Sequence, residues 1–241
     1  MPNRFIGKII DTGCKVKDRI SLTLHNHLIF YRIKNLKEPF NIEKGVEFRY
    51  PEQIKIEKDC TIKSRTIING RPKRKEDFGV ILGENTYLKE NCYFDAYSGF
   101  IHIDGFCAFG QNTIIHGGGG VKIGKYVIMG ANCYIIASNH KYDSIEFPIM
   151  LQGDKQKGIV IEDNVWLGGS VIVLDGVTIG KNSIIGAGLV VRHNVPPNTL
   201  MFADFVVEEH KKEHKKEYKK EYKLITKTNY HKKNENLSNN G

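Results

Sequence analysis

From Ile161 the chain reads, in sixes, IEDNVW, LGGSVI, VLDGVT, IGKNSI, IGAGLV and VRHNVP. The first position of these hexads is Ile161, Leu167, Val173, Ile179, Ile185 and Val191, aliphatic every time. The fifth position, from Val165 to Val195, is small or aliphatic throughout, and Gly, Asp, Asn, Glu and Lys fill the positions between. The frame also holds upstream. LGENTY, LKENCY and FDAYSG start at Leu82, IDGFCA, FGQNTI and IHGGGG at Ile103, and IGKYVI, MGANCY and IIASNH at Ile123. Slips of two or three residues separate these blocks of three hexads, and weaker hexads begin at Ile42, Ile56 and Ile62.

Six residues is too long for a helical turn and too short for a βα unit. It fits a strand of about three or four residues followed by a tight turn. The first and fifth positions point inward, and Gly, Asn or Asp turns the corner where a positive φ is needed. Three such sides close a triangular coil of 18 residues. Coils stack through parallel ladders at about 4.8 Å, so like positions form apolar columns. An all-β parallel solenoid is therefore expected. Cys60, Cys92, Cys107 and Cys133 all fall in the fifth position and read as small buried hydrophobes rather than ligands or nucleophiles.

The repeat fails in places, and loops leave the stack there. The largest break is 141–160, KYDSIEFPIMLQGDKQKGIV, bracketed by good hexads and so extruded. A second lies near 69–80 with Arg71, Lys73, Arg74 and Lys75, and a Gly117–Gly120 run follows His116. Residues 1–40 fit the frame poorly and read as a capping segment, with 21–33 as strand material over the open first coil. Residues 41–200 make the β-helical domain, which Pro196-Pro197 stops, and 201–241 a Lys/Glu-rich tail. In that tail His210, His214, Tyr218 and Tyr222 recur at four-residue spacing beside Glu–Lys pairs. It is expected to be helical or disordered, with a contact helix, a metal site at His210/His214 and peripheral contact with anionic lipid as functional alternatives.

Charge and cysteine usage narrow the setting. The formal net charge is +9, and residues 206–241, with ten Lys and six Glu, supply +4 of it. The basic residues lack interleaved aromatics except Tyr218 and Tyr222, so nucleic-acid binding is not expected. No apolar run is long enough for a transmembrane helix, and MPNRFIGKII does not resemble a secretory signal. Five cysteines without a CxxC motif point to reduced thiols in the cytoplasm.

His140 ends its block at a corner beside the extruded loop. Imidazole exchanges a proton near neutral pH, so a base for a hydroxyl is one reading and a surface histidine the other. Asn139 or Asp143 is expected to fix its tautomer. His116, one coil earlier on the corresponding side, is a candidate to hydrogen-bond a sugar-like substrate, or simply a turn cap. Zinc would need histidines from adjacent coils, with His102, His116 and His140 the candidates. The repeats hold no HxxxxH pair, and no metal is expected.

The segment IGKYVIMGANCYIIASNH, a loop with FPI and LQG, and GIVIEDNVWLGGSVIVLDGVTIGKNSIIGAGLVV resemble the hexapeptide-repeat acyltransferases over about residues 80–200. The likeness is greatest to sugar, capsule and lipopolysaccharide O-acetyltransferases. The resemblance implies a left-handed parallel β-helix, a homotrimer with active sites between subunits, and acetyl-CoA as donor without an acyl-enzyme. It makes His140 the general base. From their positions in the sequence, Asn139 is a further catalytic candidate and His116 and Asp143 are candidates to bind the acceptor. Trp166 would wall the coenzyme pocket, and the backbones at Gly169 and Ala187 would line its groove. Arg192 and His193 would meet its phosphates. Gly169 stands where many members have Ser or Ala, Leu189 replaces a frequent Ser, and the usual Gly-x-Pro-Ala ending is missing after Pro197. The expected activity is transfer of an acetyl group to a hydroxyl of a sugar or surface-polysaccharide precursor. The alternatives are N-acetylation of an amino sugar or small xenobiotic, and a non-catalytic glycan-binding scaffold using Arg71–Lys75 and the tail.

Overall fold

A computed structural model describes residue 33 and residues 35–71, 78–203 and 222–226. The segment 1–32, the basic residues 72–77, and tail residues 204–221 and 227–241 lie outside the described residues, and with them most of the expected N-terminal cap and the His210/His214 motif.

Three sheets form the sides of a prism. The first runs from Asn35–Leu36 through Ile54–Ile56, Val80–Leu82, Ile101–Ile103, Val121–Ile123 and Ile159–Ile161 to Thr178–Ile179. The second starts at Phe40–Ile42 and includes Ala108–Phe109, Ile128–Met129, Trp166–Leu167 and Ile184–Ile185. The third includes Ile67–Asn69, Tyr93–Asp95, Ile114–His116, Tyr134–Ile136, Ile172–Leu174 and Val190–Val191. Every pairing between successive coils is parallel, and the chain visits the sheets in the order first, second, third. The architecture is the expected left-handed parallel β-helix.

The register gives the size of each coil. Ile54 pairs with Val80, Val80 with Ile101, Ile101 with Val121, Val121 with Ile159 and Val160 with Thr178, steps of 26, 21, 20, 38 and 18 residues. The last is the bare triangular coil. The steps of 21 and 20 contain the short slips seen in the sequence, and the step of 38 contains the extruded loop. The first described strand, Asn35–Leu36, already pairs with Lys55 and Ile56, ahead of residue 41.

The inward columns are the first hexad positions, and every one from Leu82 to Val191 is buried. Phe94 and Phe109 meet edge-on with ring centroids 5.3 Å apart. The four predicted cysteines are buried too, and burial pushes Cys60 to about 11, Cys92 to about 12 and Cys107 to about 11, with Cys133 also raised. Their thiols stay protonated at neutral pH and fill space, as expected of core residues.

Corners repay the Asn-rich turns. Asn91, Asn112, Asn132, Asn164, Asn182 and Asn198 all take positive φ, which Asn tolerates better than other side chains bearing a Cβ. Their amides form ladders along the axis. Asn91 Nδ2 donates to Asn112 Oδ1 at 2.7 Å and Asn112 Nδ2 to Asn132 Oδ1 at 2.9 Å.

The described part of the tail departs from the helical or disordered segment expected. Tyr222–Thr226 is a strand, antiparallel to Thr199–Ala203, itself the last parallel rung of the second sheet. The reason is local. YKLIT is rich in β-forming types, and the final rung of a solenoid offers an unpaired backbone edge.

Candidate active site

The extruded loop leaves after Tyr134–Ile136, at the corner between the third and first sheets, and returns at Ile159–Ile161. Its two stems pair as a short antiparallel ribbon, with Asn139 opposite Lys155 and His140 opposite Asp154. Lys141 N–H donates to Gly153 O at 2.9 Å, where Gly153 has a φ of 76°. Gln152 ties the tip, accepting from Ser144 N at 3.1 Å and donating from Nε2 to Ser144 O and Phe147 O at 2.8 Å each. On the return, Asp175 of the next coil accepts from the backbone N–H groups of Lys157 and Gly158 at 2.9 and 2.8 Å. The Gly117–Gly120 run makes room for the loop's base, since a Cβ on Gly119 would lie 2.5 Å from Gly158 N.

This ribbon sets up an imidazole. His140 Nδ1 lies 2.8 Å from Asp154 Oδ1, and the His140 side chain is 69% exposed. A carboxylate oxygen can only accept, so Nδ1 carries the proton and Nε2 presents its lone pair to solvent. The tautomer is therefore fixed by Asp154, and not by Asn139 or Asp143 as expected from sequence. Asp143 instead faces Lys155 Nζ at 3.5 Å, and the Asn139 side chain is exposed. Asp154 stands fourteen positions from His140 across an irregular loop, and no periodic signal marks such a pairing.

His116 ends a strand of the third sheet, in register with Asp95 on one side and Ile136 on the other. Asp95 is in turn opposite Asn69. Tyr97 packs over the His116 ring with centroids 4.8 Å apart. Two buried side-chain polar atoms among the described residues lack a partner, Asn69 Oδ1 and His116 Nδ1, and they flank Asp95 on the same column. Unmet buried polar groups are costly and rare, so two in one column set this side of the prism apart from the other two. Asn69 and Asp95 sit in outward positions that the hexad pattern leaves free, and Asp95 accepts from Tyr93 OH at 3.0 Å and Tyr97 N at 2.8 Å.

The expected coenzyme residues are divided between two corners of the prism. Trp166 projects from the second sheet, 53% exposed, between its register partners Ile128 and Ile184. Gly169 and Ala187 follow on the corner between the second and third sheets, where a Cβ on Gly168 would meet Ala187 N at 2.6 Å. Arg192 and His193 are exposed on the turn after Val190–Val191, two coils beyond the corner of His140. Within one chain, then, Gly169 precedes the third-sheet strands and His140 follows them. A strand of three residues, about 10 Å, separates these two edges. His102 bonds Phe78 O at 3.1 Å and packs on Phe100. Among the described residues no three His, Cys, Asp or Glu side chains are grouped to hold a metal.

The model of the family described as bacterial transferase hexapeptide (six repeats) matches residues 158–193. The Saccharomyces cerevisiae protein YJL218W, which carries an acetyltransferase name, is 34% identical over 158 residues, 62% of this chain and 79% of its own length. This chain belongs to the hexapeptide-repeat transferase family. The Lactococcus lactis galactoside O-acetyltransferase is 33% identical over 50% of the chain, and the Escherichia coli galactoside O-acetyltransferase 34% identical over 52%. The hexapeptide transferase described here spans 58% and 60% of the lengths of those two relatives. No described helix is long and apolar enough to cross a membrane.

Proposed function

We propose that this hexapeptide transferase is an acetyl-CoA-dependent O-acetyltransferase acting on a hydroxyl of a saccharide. The observation that carries the reading is the His140–Asp154 pair, which leaves Nε2 exposed as a base at the mouth of the loop. Nε2 takes the proton of the acceptor hydroxyl, and the oxygen attacks the thioester carbonyl. The tetrahedral adduct collapses with expulsion of the thiolate, and the His140 imidazolium returns the proton to sulfur. The products are the acetyl ester and the free thiol. The Asp154 carboxylate holds the ring and offsets its positive charge while the proton is resident. His116 and Asp143 are the side chains offered to acceptor hydroxyls, with Asn139 beside the base. The names of the galactoside relatives support a saccharide there.

Trp166 and its exposed neighbour Ile128 offer an apolar wall for the pantetheine arm, with the backbones of Gly169 and Ala187 lining the groove. Arg192 places positive charge for phosphates, and His193 beside it can donate a ring N–H. Because the Trp166–Gly169 edge and the His140 edge lie on opposite sides of the third sheet, a second copy completes the site. Its coenzyme edge faces this chain's loop, where Ile145, Phe147, Met150 and Leu151 stand exposed. Such a contact is heterologous, and a homotrimeric ring closes it.

Thiol release from acetyl-CoA across a panel of mono- and oligosaccharides tests the proposal. His140→Ala should lower kcat by about 10²–10⁴ while the sedimentation coefficient stays that of the wild type. Near-normal turnover in that variant would overturn the assignment of the base. Mild alkali separates ester from amide products, since the ester hydrolyses and the amide persists.

A further inference from the structure

The corner between the first and second sheets uses a non-glycine residue of positive φ in seven successive coils: Asp59, Asn85, Phe106, Tyr126, Asn164, Asn182 and Asn198. Five of these seven are Asp or Asn, the types that accept the conformation. Phe106 at 53° and Tyr126 at 62° are bulky aromatics on adjacent coils. Asn at those two positions would relieve the backbone. It would also suit the amide ladder that Asn164, Asn182 and Asn198 already form, with Nδ2-to-Oδ1 distances of 2.9 and 3.0 Å. The core gains little in exchange, because Phe106 is 37% and Tyr126 54% exposed. A disfavoured backbone holding side chains that the fold does not need points to a use outside the fold.

The two rings are in contact but tilted, with centroids 5.3 Å apart and planes 32° from each other, and make a ledge along the helix axis. Polar groups border it. Asp104 is exposed and forms no ion pair among the described residues, and Lys125 is exposed with its backbone N–H held by Asp163 Oδ1 at 2.8 Å. Two residues past Tyr126 comes Ile128, exposed and in register with Trp166, so the ledge runs toward the proposed donor site. The dry centre of a protein interface is depleted of charged groups, which argues against a protein occupant. A saccharide suits the mixture: the C–H face of a pyranose lies on an aromatic ring, while its hydroxyls reach the flanking carboxylate, ammonium and phenol groups.

We infer that Phe106 and Tyr126, with Asp104 and Lys125, form a saccharide-binding ledge that holds further units of an acceptor chain outside the site of transfer. The inference rests on the saccharide reading above, but its test does not pass through catalysis. Calorimetry on the full chain, without acetyl-CoA, would titrate β-1,4-galactotetraose and maltotetraose. The wild type should bind at least one of them. The double variant Phe106→Asn/Tyr126→Asn should bind it about tenfold more weakly at an equal or higher unfolding temperature, because Asn accepts the corner conformation. Phe106→Tyr should retain binding, as should His140→Ala. Loss of binding in the double variant supports the ledge even if His140→Ala remains active and the base assignment fails. No binding of either tetrasaccharide by the wild type, or equal binding by the double variant, would overturn the ledge. So would a lowered sedimentation coefficient in the double variant, which would make the ledge a contact between copies.

Discussion

The coil between Ile159 and Ile179 and the loop between Asn139 and Gly158 are neighbours in the chain and opposites in construction. The coil closes in 18 residues, and Ile161, Val165, Leu167, Val171 and Val173 all point into the prism. The loop spends its length outside. Ile145, Phe147, Met150 and Leu151 are exposed, and its shape comes from a few specific bonds through Gln152, Asp154 and Asp175. Repetition makes the coil robust, since each position is supported by like positions above and below. The loop has no such redundancy, so single side chains there control geometry and chemistry with little stake in the core.

The same substitution on the two sides of this divide gives the largest contrast. Phe94→Ala should destabilise the chain by about 3–5 kcal/mol, because the ring is fully buried against Phe109. Phe147→Ala should change the stability of the single folded chain by less than about 0.5 kcal/mol, since its ring is exposed there, and any further loss should come through the proposed contact between copies. Urea midpoints at several protein concentrations check both. A large, concentration-independent loss for Phe147→Ala would break the comparison, and a concentration-dependent loss would place Phe147 at a contact between copies.

Chemistry should show the reverse sensitivity. In Asp154→Asn the amide can donate to His140 Nδ1, which turns the proton to Nε2 and removes the base. A fall of about 10² in kcat is expected, with KM for the acceptor and the urea midpoint close to wild type. Asp154→Glu should recover part of the loss, an outcome that a purely structural role for the carboxylate would not give.

The difference also explains what was legible beforehand. The hexads stated the three-sided coil, its inward columns and the buried cysteines, because the same few residue types recur at fixed spacing. The slips of two and three residues reappear as the coil steps of 20 and 21. The loop was legible only as an interruption. That His140 stood at its stem could be read, but its partner could not. The choice of Asp154 over Asp143 depends on the register of a two-residue ribbon, and no propensity encodes that register. The tail's strand was hidden for a similar reason: helical spacing of His and Tyr is a local signal, while Tyr222–Thr226 answers to a vacant edge that exists only once the coils are stacked.

The join between the two regions is the place for an intermediate effect. Gly119 sits in a regular coil and touches the base of the loop, and a methyl group there would lie 2.5 Å from Gly158 N and 3.0 Å from Ala137 O. Both are backbone atoms and cannot swing aside. Gly119→Ala should cost about 1–3 kcal/mol and lower kcat/KM together with it, by moving the stem that carries His140. Thermal unfolding and single-turnover kinetics on the same sample would show whether the two losses are linked. An unchanged kcat/KM would mean that the stem is positioned by Asp175 alone.

The smallest effect belongs to the surface of the regular coils. Glu57 receives Lys37 Nζ at 2.7 Å and Lys55 Nζ at 2.9 Å, and the Lys37 bond, then the Lys55 bond, holds its carboxyl below the usual glutamate value. A depressed folded-state value contributes stability above the unfolded glutamate pKa, and that contribution is lost as the pH falls through the folded value. Glu57→Gln should therefore lower stability slightly at neutral pH, by about 0.5 kcal/mol or less for a surface pair, and converge with the wild type in acid. Urea midpoints at pH 7 and pH 3 decide it. The difference should be larger at pH 7, and a difference that grew in acid would mean that the two lysines, rather than the carboxylate, govern this rung. Because Glu57 lies on the regular coils and bonds nothing in the loop, the variant should leave acetyl transfer untouched.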